Sequence, residues 1–138
     1  MNHDPNHGWG SDIVGKLVAL QAAMKGLSSN GKVRERFDRA TSPLVAYREQ
    51  DFPEHLRPAF NRVIDTRRKS RRDISETYWE FAFDAITSAE RKQLVADITA
   101  MYEACLIDIG RSWPNWDFVY PKADVLEKPK RLRKKKID

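Results

Sequence analysis

The residues Gly26-Leu-Ser-Ser-Asn-Gly31-Lys32 follow the spacing of a phosphate-binding loop as far as the lysine. In such a loop backbone amides cradle phosphates, the lysine reaches the terminal phosphate, and a hydroxyl after it holds magnesium. Here Val33 takes the place of that hydroxyl, and the run follows an amphipathic helical stripe rather than a buried strand. The stretch therefore reads as a helix stop with an Asn30-Gly31 turn. Metal chemistry finds no clustered ligands. His3 and His7 flank Pro5, His55 is isolated, and Cys105 sits on the inner face of an expected helix, where a thiol behaves as a small apolar group. Glu76, Glu80 and Asp84 recur every four residues. Paired carboxylates do acid/base work only when burial separates their pKa values, so on a helix this series reads as a solvated acidic stripe. No metal, cofactor or catalytic residue is expected.

Two basic runs and one aromatic segment carry the binding chemistry. Arg67, Arg68, Lys69, Arg71 and Arg72 place five cations in six residues. They suit phosphate backbones through counterion release, and they also suit the negative end of a helix dipole. Near the C-terminus come Lys130, Arg131, Arg133, Lys134, Lys135 and Lys136, in a stretch with too little apolar matter to fold alone. Eight cations of residues 122–138 on duplex phosphates would give a log–log salt slope of up to about −7, without base preference. Between the runs, Trp113, Trp116, Phe118 and Tyr120 alternate as on an extended strand. They form a strap packed over the core, a stacking platform for unpaired bases, or a docking surface for a protein.

The elements that must position these groups are mostly helical. Ile13, Leu17, Leu20, Met24 and Leu27 fall at intervals of 4, 3, 4 and 3 and predict a helix over residues 11–27, capped by Ser11. A weaker one spans about residues 29–40. Asp51, Pro53 and Glu54 signal another start, giving a helix over 53–68 that Pro58 kinks or delays. Ser75 with Tyr78 opens an aromatic patch of Tyr78, Trp79, Phe81 and Phe83 that ends near Ile86. Thr87 and Glu90 form a capping box, and Leu94, Ile98, Met101, Tyr102, Cys105 and Ile109 make the inner face of the helix that follows, over 88–110. The expected class is all-α: a four- or five-helix bundle with an extended aromatic C-terminal strap and a disordered basic tail. Residues 1–10 form a flexible lead-in, 11–121 a single helical domain and 122–138 the tail.

Charge is sorted along the 138 residues. Residues 31–72 hold 12 Lys/Arg against 6 Asp/Glu, residues 73–110 hold 2 against 8, and residues 122–138 hold 8 against 3. The blocks either present charged faces to partners or neutralise each other within the fold. One cysteine, no apolar run long enough for a bilayer and no basic-plus-apolar leader point to a cytoplasmic protein without membrane contact. The expected function is that of a small non-catalytic accessory or regulatory protein that associates with nucleic acid, DNA or RNA, through its basic runs. The alternative is a helical protein–protein adaptor or antagonist, homodimeric in one form, that uses the acidic helix face or the aromatic strap.

Overall fold

Four α-helices and one β-hairpin make up residues 7–112, the part of the chain that the computed structural model describes. α1 (Ile13–Ser28) begins at Asp12, one residue later than the Ser11 cap expected, because the Asp12 carboxylate accepts from Gly15 N at 3.2 Å. Its apolar stripe is buried through Ile13, Leu17, Leu20 and Met24. Gly26 lies inside α1 rather than in a phosphate loop. A Cβ there would come within 2.6 Å of Ala40 N, so the missing side chain is what lets α2 (Val33–Thr41) cross α1 closely.

Short 3₁₀ turns at Ser42–Leu44, Glu49–Asp51 and Glu54–Leu56 carry the chain to α3 (Arg57–Lys69). α3 starts four residues later than Pro53. Pro58 falls in its first turn, where a missing N–H costs nothing, so the proline begins the helix instead of kinking it. α4 (Ser88–Ser112) opens on the expected capping box, with Thr87 N donating to Glu90 Oε1 at 2.9 Å and Glu90 N to Thr87 Oγ1 at 3.0 Å. All six inner-face residues named above are buried. α4 runs past Gly110, since glycine weakens a helix without ending it and Ile109 is held in the core.

α4 lies between α1 and α3 and runs antiparallel to both. Met24 meets Thr99 while Trp9, just ahead of α1, meets Asp108; Arg62 meets Asp97 while Lys69 meets Glu90. Trp9, expected in the flexible lead-in, is instead fully buried. Its indole donates to Asp108 Oδ2 at 2.8 Å and meets Phe52 edge-on at 5.7 Å, and its carbonyl accepts from buried Lys16 Nζ at 2.5 Å. Trp9 thus anchors the lead-in to the core, while Gly8 and Gly10 on either side of it are exposed.

The largest departure from the all-α expectation lies between α3 and α4. β1 (Arg71–Asp73) pairs antiparallel with β2 (Trp79–Phe81) in the register Arg71↔Phe81, Arg72↔Glu80 and Asp73↔Trp79. Glu76 and Glu80 thus belong to a hairpin and share no helical face. Ser75 Oγ accepts from Tyr78 N at 3.2 Å, the bond a helix cap would make, but the chain turns back instead. Thr77, Trp79 and Phe81 alternate β-branched and aromatic residues, which favours the pleat. The class is predominantly helical with a small two-stranded sheet. No helix among the described residues is long and apolar enough to cross a membrane.

Candidate nucleic-acid interface

The basic run 67–72 straddles the junction between α3 and the hairpin, and local bonds fix that junction. Ser70 Oγ donates to Arg67 O at 2.7 Å, closing α3, and Ala82 N donates to Ser70 O at 2.6 Å, tying the end of β2 to the start of β1. From there an aromatic ladder runs inward. Trp79 meets Phe81 at 5.0 Å, Phe81 meets Phe83 at 6.1 Å, and Phe83 meets Phe37 of α2 at 5.9 Å. The ladder roots the hairpin in the core and leaves its tip in solvent, with Ile74, Tyr78 and Trp79 all exposed.

The five cations of the run are not equivalent. Arg67 differs from the sequence reading because it is turned inward, with 13% of its side chain exposed. Its Nη1 donates to Asp38 Oδ1 at 2.7 Å and to Thr41 Oγ1 at 2.8 Å, and its guanidinium lies 3.9 Å from the centre of the Phe81 ring. It is a clamp between α2, α3 and β2, and it also forms part of the wall of the groove beside the hairpin. Arg68 faces Asp65 at 3.0 Å with 72% of its side chain exposed. Lys69 Nζ meets Glu90 Oε2 at 2.6 Å. Arg71 bonds to Asp73 at 3.2 Å and stacks over Trp79 at 4.7 Å, the diagonal position across the ribbon. Arg72 is paired with Glu80 on the opposite face, and Arg34 reaches the same carboxylate at 3.1 Å.

Charge sorting along the sequence thus becomes charge pairing in the fold. Arg34, Arg62, Lys69 and Arg72 come from the basic block and meet Glu80, Asp97 and Glu90 of the acidic block. Arg62 grips Asp97 with Nε at 3.0 Å and Nη2 at 2.9 Å, and Gln93 adds a third bond to this buried carboxylate. The Lys69 ammonium, then the two Thr87 hydrogen bonds, hold the Glu90 carboxyl down to about 2, and the same hydrogen bond raises Lys69. Surface pairs such as Arg68–Asp65 and Arg71–Asp73 are a different case. Each is worth about 0–1 kcal/mol, so a phosphate competes readily for the guanidinium.

Beside the hairpin lies a groove of about 550 Å³ whose floor includes Phe60, Ile64 and Phe81 and whose rim carries Arg48, Arg68 and Arg71. The sequence reading missed Arg48 and the groove, since residues 48, 60, 68 and 81 meet only through the fold. Trp113, Trp116, Phe118 and Tyr120 lie outside the described residues, as do Lys130, Arg131, Arg133, Lys134, Lys135 and Lys136. Among the described residues no three His, Cys, Asp or Glu side chains are grouped to hold a metal ion. Burial, aided by the Asp108 charge, pushes the Cys105 thiol up to about 12 and suppresses the nucleophilic thiolate. Comparison with family models, with curated proteins and with solved structures returns no match for this chain.

Proposed function

We propose that this is a small, non-catalytic accessory protein that associates with nucleic acid and engages unpaired strands at the hairpin and its groove. One observation carries the reading: Arg48, Arg68 and Arg71 rim an apolar-floored groove, and Arg71 lies over the exposed ring of Trp79. Single-strand binders combine cations that track the backbone with aromatic faces on which bases stack, each stacked base contributing about 1–3 kcal/mol. Arg71 already lies over Trp79, so its charge and the ring meet one nucleotide together. In this reading the helices form a four-helix bundle that acts as a rigid mount. The aromatic segment with Trp113, Trp116, Phe118 and Tyr120 straps that bundle, and the cations of residues 122–138 add phosphate contacts.

Fluorescence anisotropy of a labelled single-stranded oligonucleotide, titrated with the intact chain over a range of salt, tests the proposal. Binding weakens as salt rises. The double variant Arg68→Gln, Arg71→Gln flattens the log–log slope by about 1.4, two contacts at roughly 0.7 each for single strands. Trp79→Ala weakens binding at every salt concentration. No binding by the intact chain, or affinity indifferent to salt, overturns the reading.

The adaptor alternative is favoured by a separate observation. Ile74, Tyr78 and Trp79 together expose an apolar tip flanked by arginine, the residue types that anchor protein interfaces. Association with a protein partner that persists at high salt and after deletion of residues 122–138 selects this second reading.

A further inference from the structure

The cations of the 67–72 run all meet carboxylates, but three others share a concavity without one. A pocket of about 320 Å³ lies between α2 and α4, lined by Arg36, Ser88, Arg91 and Lys92 with Val33, Phe37 and Val95. We propose that this pocket is an oxyanion site for a phosphoryl group carried on a small apolar or aromatic moiety.

Four features support the assignment. None of the seven lining residues is acidic, so the three positive charges are not cancelled at the pocket wall. Arg36 Nε is buried and hydrogen-bonded to no protein atom. A buried donor of this kind is rare in native proteins, and it belongs to a residue that lines the pocket. Arg91 Nη1 donates to Ile86 O at 3.0 Å, which fixes the guanidinium plane and leaves other N–H groups of the fork to donate elsewhere. Ser88 supplies a hydroxyl from the first turn of the 25-residue α4, where the helix dipole adds positive potential.

Charge and shape narrow the ligand class. Three cations and a hydroxyl suit a dianion with three acceptor oxygens better than a carboxylate, which has two. Val33, Phe37 and Val95 offer an apolar wall that contributes nothing to inorganic phosphate but covers the organic part of an ester. The volume limits that part to a small group. The pocket shares no lining residue with the groove beside the hairpin, so the two sites can fail independently.

The test is a ¹⁵N-resolved NMR titration of the full chain with phenyl phosphate, inorganic phosphate and a single-stranded oligonucleotide, each at ionic strength matched with sodium chloride. Phenyl phosphate is expected to give saturable shifts at the amides of Ser88, Arg91 and Lys92 and at Arg36 Nε–H, with inorganic phosphate binding the same groups more weakly. Arg36→Gln and Lys92→Gln each weaken phenyl phosphate about tenfold, the scale of one charge-assisted hydrogen bond in a partly open site. Lys92 is exposed, so its variant reports on the ligand even if the Arg36 variant unfolds. Shifts that sodium chloride reproduces, or phenyl phosphate affinity unchanged from wild type in both variants, overturn the proposal. Shifts from the oligonucleotide but not from phenyl phosphate overturn it too, because the source is then a backbone phosphate. Phenyl phosphate binding by the wild-type chain with no oligonucleotide binding by that same chain sinks the nucleic-acid reading and leaves this site standing.

Discussion

Trp9→Ala removes a fully buried ring and, with it, the donor that reaches Asp108 across 99 residues of sequence. Losing a buried Trp to Ala costs about 3–5 kcal/mol through lost transfer energy and the cavity left behind. Losing a hydrogen bond to a buried carboxylate adds about 1.5–3 kcal/mol, part of which the cavity figure already contains. We therefore expect about 4–6 kcal/mol, a large share of the roughly 5–15 kcal/mol that holds a domain folded. The seat of Lys16 weakens as well, because its ammonium bonds the Trp9 carbonyl and follows the segment if it lifts. Trp9→Phe keeps most of the ring and loses the N–H, so it isolates the hydrogen bond at about 1.5–3 kcal/mol. Urea unfolding of the full chain followed by far-UV circular dichroism measures both, with Trp79→Ala as the exposed control expected below about 1 kcal/mol. If Trp9→Ala costs no more than Trp79→Ala, the segment before α1 is not seated on the core, and the account of the lead-in is wrong.

Three further outcomes follow from the same contacts. Glu90 is held at about 2, below its ordinary 4.5, so its stabilisation is present above pH 4.5 and is lost as pH falls through about 2. Glu90→Gln removes that part of the acid limb, and identical acid unfolding curves for variant and wild type contradict the pairing with Lys69. Arg67→Gln opens the clamp on Asp38, Thr41 and Phe81 at a cost of about 2 kcal/mol and lowers hydrogen-exchange protection at the Ala82 amide; unchanged protection refutes the clamp. Cys105 is buried with its thiol pushed up to about 12, so a thiol reagent labels it at neutral pH only as fast as the core opens. Immediate labelling of the native chain counts against that burial.

α4 was legible because its signals are local. The Thr87–Glu90 box and the 3–4 spacing from Leu94 to Ile109 act within a few turns, and the structure buries each of those side chains. The hairpin was misread for an equally local reason. Ser75 bonds Tyr78 N whether a helix or a tight turn follows, and Glu76 and Glu80 sit at a helical interval by chance. The contrary signal was the alternation of Thr77, Trp79 and Phe81, which covers only three positions over five residues and is outweighed by the aromatic density around it. Trp9 gave no signal at all, since a single aromatic between Gly8 and Gly10 has no period and its partner lies at the far end of α4. The candidate site was legible only as a list of cations. Which of them face carboxylates depends on helix pairings that bring residue 62 to residue 97 and residue 69 to residue 90.

Those pairings change what the charge pattern means. Residues 7–112 carry 17 Lys/Arg against 15 Asp/Glu, so the described domain is nearly neutral, and most of the chain's net charge of +5 belongs to the residues outside it. A field so weak does little to steer a polyanion from beyond a Debye length of about 8 Å. On the proposed reading, recognition by the domain is then short-ranged, at places where cations meet few competing carboxylates. The Arg36, Arg91 and Lys92 pocket has no acidic lining residue, whereas at the groove rim Arg68 and Arg71 hold exposed carboxylate partners that a phosphate can displace. Five cations of the basic block, Arg34, Arg62, Lys69, Arg71 and Arg72, pair with carboxylates that come later along the chain, and Arg67 and Arg68 pair with Asp38 and Asp65 of their own block. The block's cations at the α3–α4 contact, Arg62 and Lys69, serve the fold, and on the proposed reading those beside apolar concavities serve a ligand.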